Sequence, residues 1–119
     1  MIEQEIRGDC LVLTIKVERL DHYVASDFKA DVLDRVAASH RALVLDLSDV
    51  KFMDSSGLGA LMGIRKRLGW SVRIVLAGLK NPVFKVFELA RVMSVFTFYT
   101  SVDAALGQNE GESRRWAKS

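Results

Sequence analysis

Leu43-Val44-Leu45-Asp46-Leu47-Ser48-Asp49-Val50-Lys51-Phe52-Met53-Asp54-Ser55-Ser56-Gly57-Leu58-Gly59 is the stretch whose reading decides the fold. Its opening run, Leu43 to Leu47, has almost no polar member, as a central strand covered on both faces requires. Val50 to Met53 leads into a glycine-serine turn. Beyond the turn Leu58, Leu61, Met62, Ile64 and Leu68 recur at helical spacing as far as Gly69, a helix-stopping residue, with Arg65, Lys66 and Arg67 on the polar side. A buried strand, a tight turn and a helix in succession are the units of an α/β chain.

Outward from this stretch the same alternation continues. Residues 2 to 7 alternate, with Ile2, Gln4 and Ile6 opposed to Glu3, Glu5 and Arg7, and Gly8-Asp9 is a turn signal. In the next run Leu11, Leu13, Ile15 and Val17 share a face, and Cys10, Val12, Thr14 and Lys16 share the more polar one. This pattern predicts a β-hairpin with Cys10 partly covered. After the polar segment 18–22, Ala25, Phe28, Val32 and Val36 form a stripe that predicts a helix over 24–39, with His40 at its C-terminal end. Val72 to Ala77 reads as a further buried strand. Asn81-Pro82 predicts a helix cap and first-turn proline for a third helix ending near Met93. Val95 to Tyr99 is an expected edge strand, Ser101 to Leu106 a last helical turn, and residues 107–119 a polar tail. Phe28, Met62, Phe84 and Phe87 fall on helical stripes and are assigned to the core. The expected fold is α/β, a single mixed sheet of about four or five strands with helices packed against it.

Composition narrows the function. The 119 residues are 50% hydrophobic, enough for one self-sufficient core. Seventeen basic and fifteen acidic residues are scattered along the chain for a net charge of +2, so no broad field of one sign draws it to nucleic acid or a membrane surface. Cys10 is the only cysteine, which excludes an internal disulfide and suits a reducing cytoplasm. The N-terminus carries acids where a secretory signal needs an apolar run, and no apolar stretch approaches a membrane span. A cytoplasmic protein is expected.

The turn Asp54-Ser55-Ser56-Gly57-Leu58-Gly59 is the chemical focus. It places side-chain acceptors and unpaired backbone N–H groups at a helix N-terminus, where the dipole favours an anion. An ordinary N-cap accounts for one such acceptor, and this turn offers three in succession. A serine here is a favourable carrier of phosphate, and an acidic partner surface packed over it would be repelled. Other chemistries fit less well. A nucleophilic serine needs a base, and His22 directly follows Asp21, which does not suit an Asp-His-Ser relay. No lysine follows the glycines as a phosphate-binding P-loop demands. Asp21, Asp46, Asp49 and Asp54 lack calcium-loop spacing, and no Cys/His cluster offers a metal site. No catalytic residue and no cofactor are assigned.

Through residues 43–59 the sequence resembles the STAS-domain anti-sigma factor antagonists, the bacterial partner-switching proteins. Weaker similarity runs from about Ile2 to Leu106 and includes Leu20-Asp21 and Asn81-Pro82-Val83. The resemblance implies a single STAS-like domain over 1–106. It also implies a phosphorylation-controlled binding switch: the unphosphorylated form binds an anti-sigma factor that is also its serine kinase, of the histidine-kinase-like ATPase fold. Phosphorylation ends the binding, and a metal-dependent serine phosphatase restores it. ATP would belong to the partner. By the same resemblance Ser55, directly after the aspartate, is the phosphoacceptor. Asp21, Asp54, Ser56, Gly57, Leu58 and Gly59 are partner-facing, with Asp21 matching a family acid that contacts the kinase. Only the resemblance selects Ser55 over Ser56. Glu18 stands where the family usually has glycine, so another shape is expected for residues 18–22.

Competing readings keep the fold and change the role: a constitutive scaffold module of a transport or signalling complex, or a small-molecule-binding STAS domain. Arg114-Arg115-Trp116-Ala117-Lys118 offers charge and stacking to nucleic acid, but three cations on a polar tail read as a solvated end.

Overall fold

The structure, a computed structural model, describes residues 1–107; the basic segment 114–118 lies outside them. The hairpin β1 (Ile2–Arg7) and β2 (Cys10–Ile15) opens the chain, paired antiparallel with Ile2 opposite Ile15 and Arg7 opposite Cys10. Gly8, at φ 63°, supplies the left-handed residue of the turn. The sheet continues through β4 (Ala42–Asp46), β6 (Arg73–Ala77) and β7 (Thr97–Tyr99), in spatial order β1-β2-β4-β6-β7, and every pairing from β2 onward is parallel. Parallel neighbours require crossovers. These are α1 (Ala25–Arg35), α2 (Ser55–Leu68) and α3 (Asn81–Ala90). The sheet is thus mixed and five-stranded, with β4 at its centre. Leu43, Val44 and Leu45 are all buried, the covering on both faces that the apolar run required.

The two faces are unequal. Leu11, Leu13 and Ile15 of β2, Leu43 and Leu45 of β4, and Ile74 and Leu76 of β6 pack under the helices with Phe28, Leu61, Ile64 and Phe87. On the other face Val12, Val44, Val75 and Tyr99 are covered by the short α4 (Val102–Ala105), capped by the Ser101 hydroxyl. Cys10 is half-buried beside this smaller cluster, and burial pushes its thiol pKa up. Phe84, Phe87, Phe96 and Phe98 meet edge to face at 5.4–6.4 Å and fasten α3 to β7.

A second, two-stranded parallel ladder was not expected. β3 (Arg19–Leu20) pairs with β5 (Phe52–Met53), joining the segment before α1 to the segment before α2. It places the starts of both helices side by side.

Several sequence expectations need correction. The first helix stops at Arg35 rather than 39, because Val36 turns extended and the Ala37 N–H donates to Nδ1 of His40 at 2.9 Å. His40 is therefore a buried turn residue, not a helix C-terminal one. Asn81 is the first residue of α3, not its cap. The Lys80 carbonyl takes the Val83 and Phe84 N–H groups, leaving nothing for the Asn81 side chain to cap. That helix ends at Ala90 instead of Met93, closed by Arg91 at φ 59° in the left-handed region. Arg65, expected on the polar side, is buried. Its guanidinium donates to the Gly69 and Val72 carbonyls and lies over the Trp70 ring, tying the end of α2 to β6.

Candidate functional site

Asp54 builds the site. Extended at φ −108° and ψ −174°, it is the N-cap of α2. Its Oδ1 accepts the N–H groups of Ser56 at 2.9 Å and Gly57 at 3.1 Å. Its Oδ2 accepts the N–H of His22 at 3.3 Å, across the ladder from the loop before α1. Desolvation opposes ionisation of this carboxyl, but the N–H groups of Gly57, Ser56 and His22 together outweigh it, and its pKa lies below the ordinary aspartate value.

One expectation changes here. The N–H groups of Ser56 and Gly57 are not vacant for an anion, since Asp54 already holds them. The surplus of acceptors is real all the same. Asp54 alone caps the helix, and the Ser55 and Ser56 hydroxyls enter no hydrogen bond among the described residues. Ser55 is the first residue of α2 and exposed, and Ser56 is half-buried.

The two glycines of the turn differ. Gly57 is buried against β3, and a Cβ on it would fall 2.2 Å from the Leu20 carbonyl oxygen, so only glycine lets α2 approach. At Gly59 a Cβ would meet nothing within 4 Å; this residue is exposed, and the fold does not demand glycine there. Leu58 between them is half-buried against the core.

Asp21 is brought close to the turn but faces inward. Its residue is 8% exposed, its carboxylate accepts from the Tyr23 N–H at 3.1 Å and from Arg19 at 3.3 Å, and its carbonyl accepts from Val24 and Ala25. It shapes the loop that presents His22 and Tyr23. These two rings stack at 4.0 Å between centroids, and Tyr23 is 81% exposed. The only sequence signal for Tyr23 is that it is an aromatic outside any apolar stripe. Phe52 is also exposed, with the Arg19 guanidinium 4.2 Å above its ring.

The STAS domain family matches residues 1–105. The chain belongs to the STAS-domain family. A STAS-domain containing protein of Pseudomonas aeruginosa is 34% identical over 86 residues, 71% of this chain and 84% of the relative. The anti-sigma F factor antagonist of Paenibacillus polymyxa is 26% identical over 113 residues, 92% of this chain and 94% of its own. In three dimensions an anti-sigma factor antagonist from Mycobacterium paratuberculosis superimposes with a TM-score of 0.80 at 25% identity, covering 91% of this chain and 92% of that one.

Within this STAS domain Glu18 ties the loop before α1 to the segment before α2. It is not among the residues with positive φ. Its carbonyl takes the N–H groups of Lys51 at 2.8 Å and Phe52 at 3.1 Å, and its carboxylate lies 3.4 Å from the Lys51 ammonium. The loop 18–22 is thereby held in register with the turn. No helix among the described residues is long and apolar enough to cross a membrane.

The Asp54 clamp makes a pH prediction. A carboxyl whose pKa is lowered on folding stabilises fully above its unfolded value, about 3.9, and that contribution is lost as pH falls through the folded value. Asp54→Ala is expected to lower the thermal midpoint at pH 7 by about 5 °C. The gap from wild type should close on acidification below pH of about 4. A gap independent of pH across that range would show that the carboxylate charge is not what holds the turn.

Proposed function

We propose that this STAS domain is an anti-sigma factor antagonist that switches partners by phosphorylation of Ser55. The observation that carries the reading is a division of labour within the turn. Asp54 alone caps α2, so the neighbouring Ser55 hydroxyl is exposed, unengaged and dispensable to the fold. In the unphosphorylated state the face formed by Ser55, Ser56, Leu58 and Gly59, flanked by His22 and Tyr23, binds an anti-sigma factor. That partner is also a serine kinase of the histidine-kinase-like ATPase fold and brings its own ATP. Phosphate adds roughly two negative charges beside the already ionised Asp54. The face then turns from weakly charged to strongly acidic, and a partner surface packed there is released. A metal-dependent serine phosphatase resets the cycle. These steps belong in the bacterial cytoplasm, and the chain itself performs no catalysis.

The relatives named as anti-sigma factor antagonists support this reading, one of them matching over nearly the whole chain. Its direct test is to incubate the purified protein with ATP and each anti-sigma factor kinase of the source genome, then map phosphate by mass spectrometry. Modification confined to Ser55, and abolished in Ser55→Ala, is expected. Phosphate on another residue, or none with a kinase active on its own antagonist, overturns the reading.

A further inference from the structure

We propose that the partner protein inserts an acidic side chain into a groove between α1 and α2 beside Ser55, where Lys29 receives it; this rests on the partner-switching reading above. The groove has a volume of about 290 Å³ and is lined by His22, Ala25, Ser26, Lys29, Ser56 and Gly59. No carboxylate is among these residues. Its floor is made of small side chains, and the open space above Gly59, where a Cβ would touch nothing within 4 Å, keeps one wall low. Glycine is a poor helix former, and nothing in the packing of α2 requires it at this exposed position.

Lys29 gives the groove its sign. Its stem crosses from α1 onto α2, where a Cβ on Gly63 would fall 2.8 Å from Nζ and 3.0 Å from Cε. The side chain is thus laid along the groove rather than extended into solvent. Lys16 and Lys51 are matched by Asp49 and Glu18. Lys29, half-buried, has no ion-pair partner among the described residues. The Ser26 and Ser56 hydroxyls are likewise unengaged there and available as donors. A half-buried cation flanked by hydroxyl donors is the complement of a carboxylate. Ser56 lines the groove and Ser55 is its neighbour in the chain, so a phosphate on Ser55 adds negative charge at the edge of the groove and repels an incoming carboxylate. The groove therefore makes the phosphate's effect specific to partners with an acid at this point.

The experiment is calorimetric titration of wild type, Lys29→Glu, Gly59→Leu and Ser55→Asp with each purified anti-sigma factor kinase of the source genome, with thermal melts of every variant. Gly59→Leu is expected to fold with a midpoint at or above wild type, since the residue faces open space, and Lys29→Glu with a midpoint close to wild type, since the half-buried lysine makes no ion pair among the described residues. Each should bind at least about tenfold more weakly. A reciprocal acid-to-lysine change on the kinase should restore Lys29→Glu. Both variants binding within about twofold of wild type, while Ser55→Asp binds poorly, would overturn the groove and leave the switch intact. Weak Lys29→Glu and Gly59→Leu with an unaffected Ser55→Asp would support the groove and remove the charge switch. If no kinase binds the wild type, both readings fall together.

Discussion

Ser55→Asp is expected to bind the anti-sigma factor kinase at least about tenfold more weakly than Ser55→Ala, a difference of about 1.4 kcal/mol. The comparison isolates charge. Both residues are compatible with the first turn of α2, and an aspartate there is favoured by the helix dipole, so neither variant should lose stability. The side chain is exposed and makes no hydrogen bond among the described residues, so its removal breaks no native contact. What differs is a second negative charge set next to the Asp54 carboxylate, on a face that a partner must desolvate. Ser55→Ala should in addition stay bound in the presence of ATP, because the kinase has no hydroxyl to modify. Equal affinities by calorimetry would mean that charge at this position does not control binding.

Gly57→Ala should cost about 3 kcal/mol of folding stability, and by the same measure Gly59→Ala should add up to about 1 kcal/mol. One methyl group has opposite effects at positions two residues apart on the same helix. At Gly57 the new Cβ would lie 2.2 Å from the Leu20 oxygen and 2.9 Å from Cγ of Met53. Met53 could adjust, but the Leu20 carbonyl is backbone in a fully buried residue of β3 and cannot. Relief requires the start of α2 to lift from the β3–β5 ladder, which strains the Asp54 bond to the His22 N–H. At Gly59 there is only space, and alanine is the better helix former. Urea titration of both variants measures the two signs directly. Equal stabilities would refute the tight approach of α2 to β3.

Those two glycines mark where sequence alone stops. Periodicity identified β4, α2 and the hairpin because each has a long, regular apolar pattern, and Gly69 closed α2 where a helix stop was expected. The β3–β5 ladder escaped because two residues a side are too few to show alternation; only its partner across the fold makes it a strand. Arg65 escaped because an arginine in a basic triplet reads as solvated until the Gly69 and Val72 carbonyls are brought within its reach. Helix ends were misplaced where a local turn that periodicity does not register closed the helix early, as His40 does in capturing the Ala37 amide and Arg91 does in the left-handed region.

At the site, the serine turn and its helix-capping role were legible because capping is local. That Asp54 is the cap, with both serines left over, was not, since Asp and Ser are equally good caps and geometry decides between them. That His22, Tyr23 and Lys29 lie beside the turn required α1 and α2 to be seen side by side.

The Asp54 carboxylate grips two segments that are 32 residues apart in sequence, one oxygen on the start of α2 and the other on the loop before α1. Neither segment can breathe without loosening the other. Local opening at this end of the molecule is therefore a shared event, in which the serine turn and the aromatic pair beside it are released as one cooperative unit. On the proposed partner-switching reading, docking and phosphate acceptance would not be tuned independently through this clamp: whatever steadies the surface for a partner would also slow the release of Ser55 into a kinase's cleft.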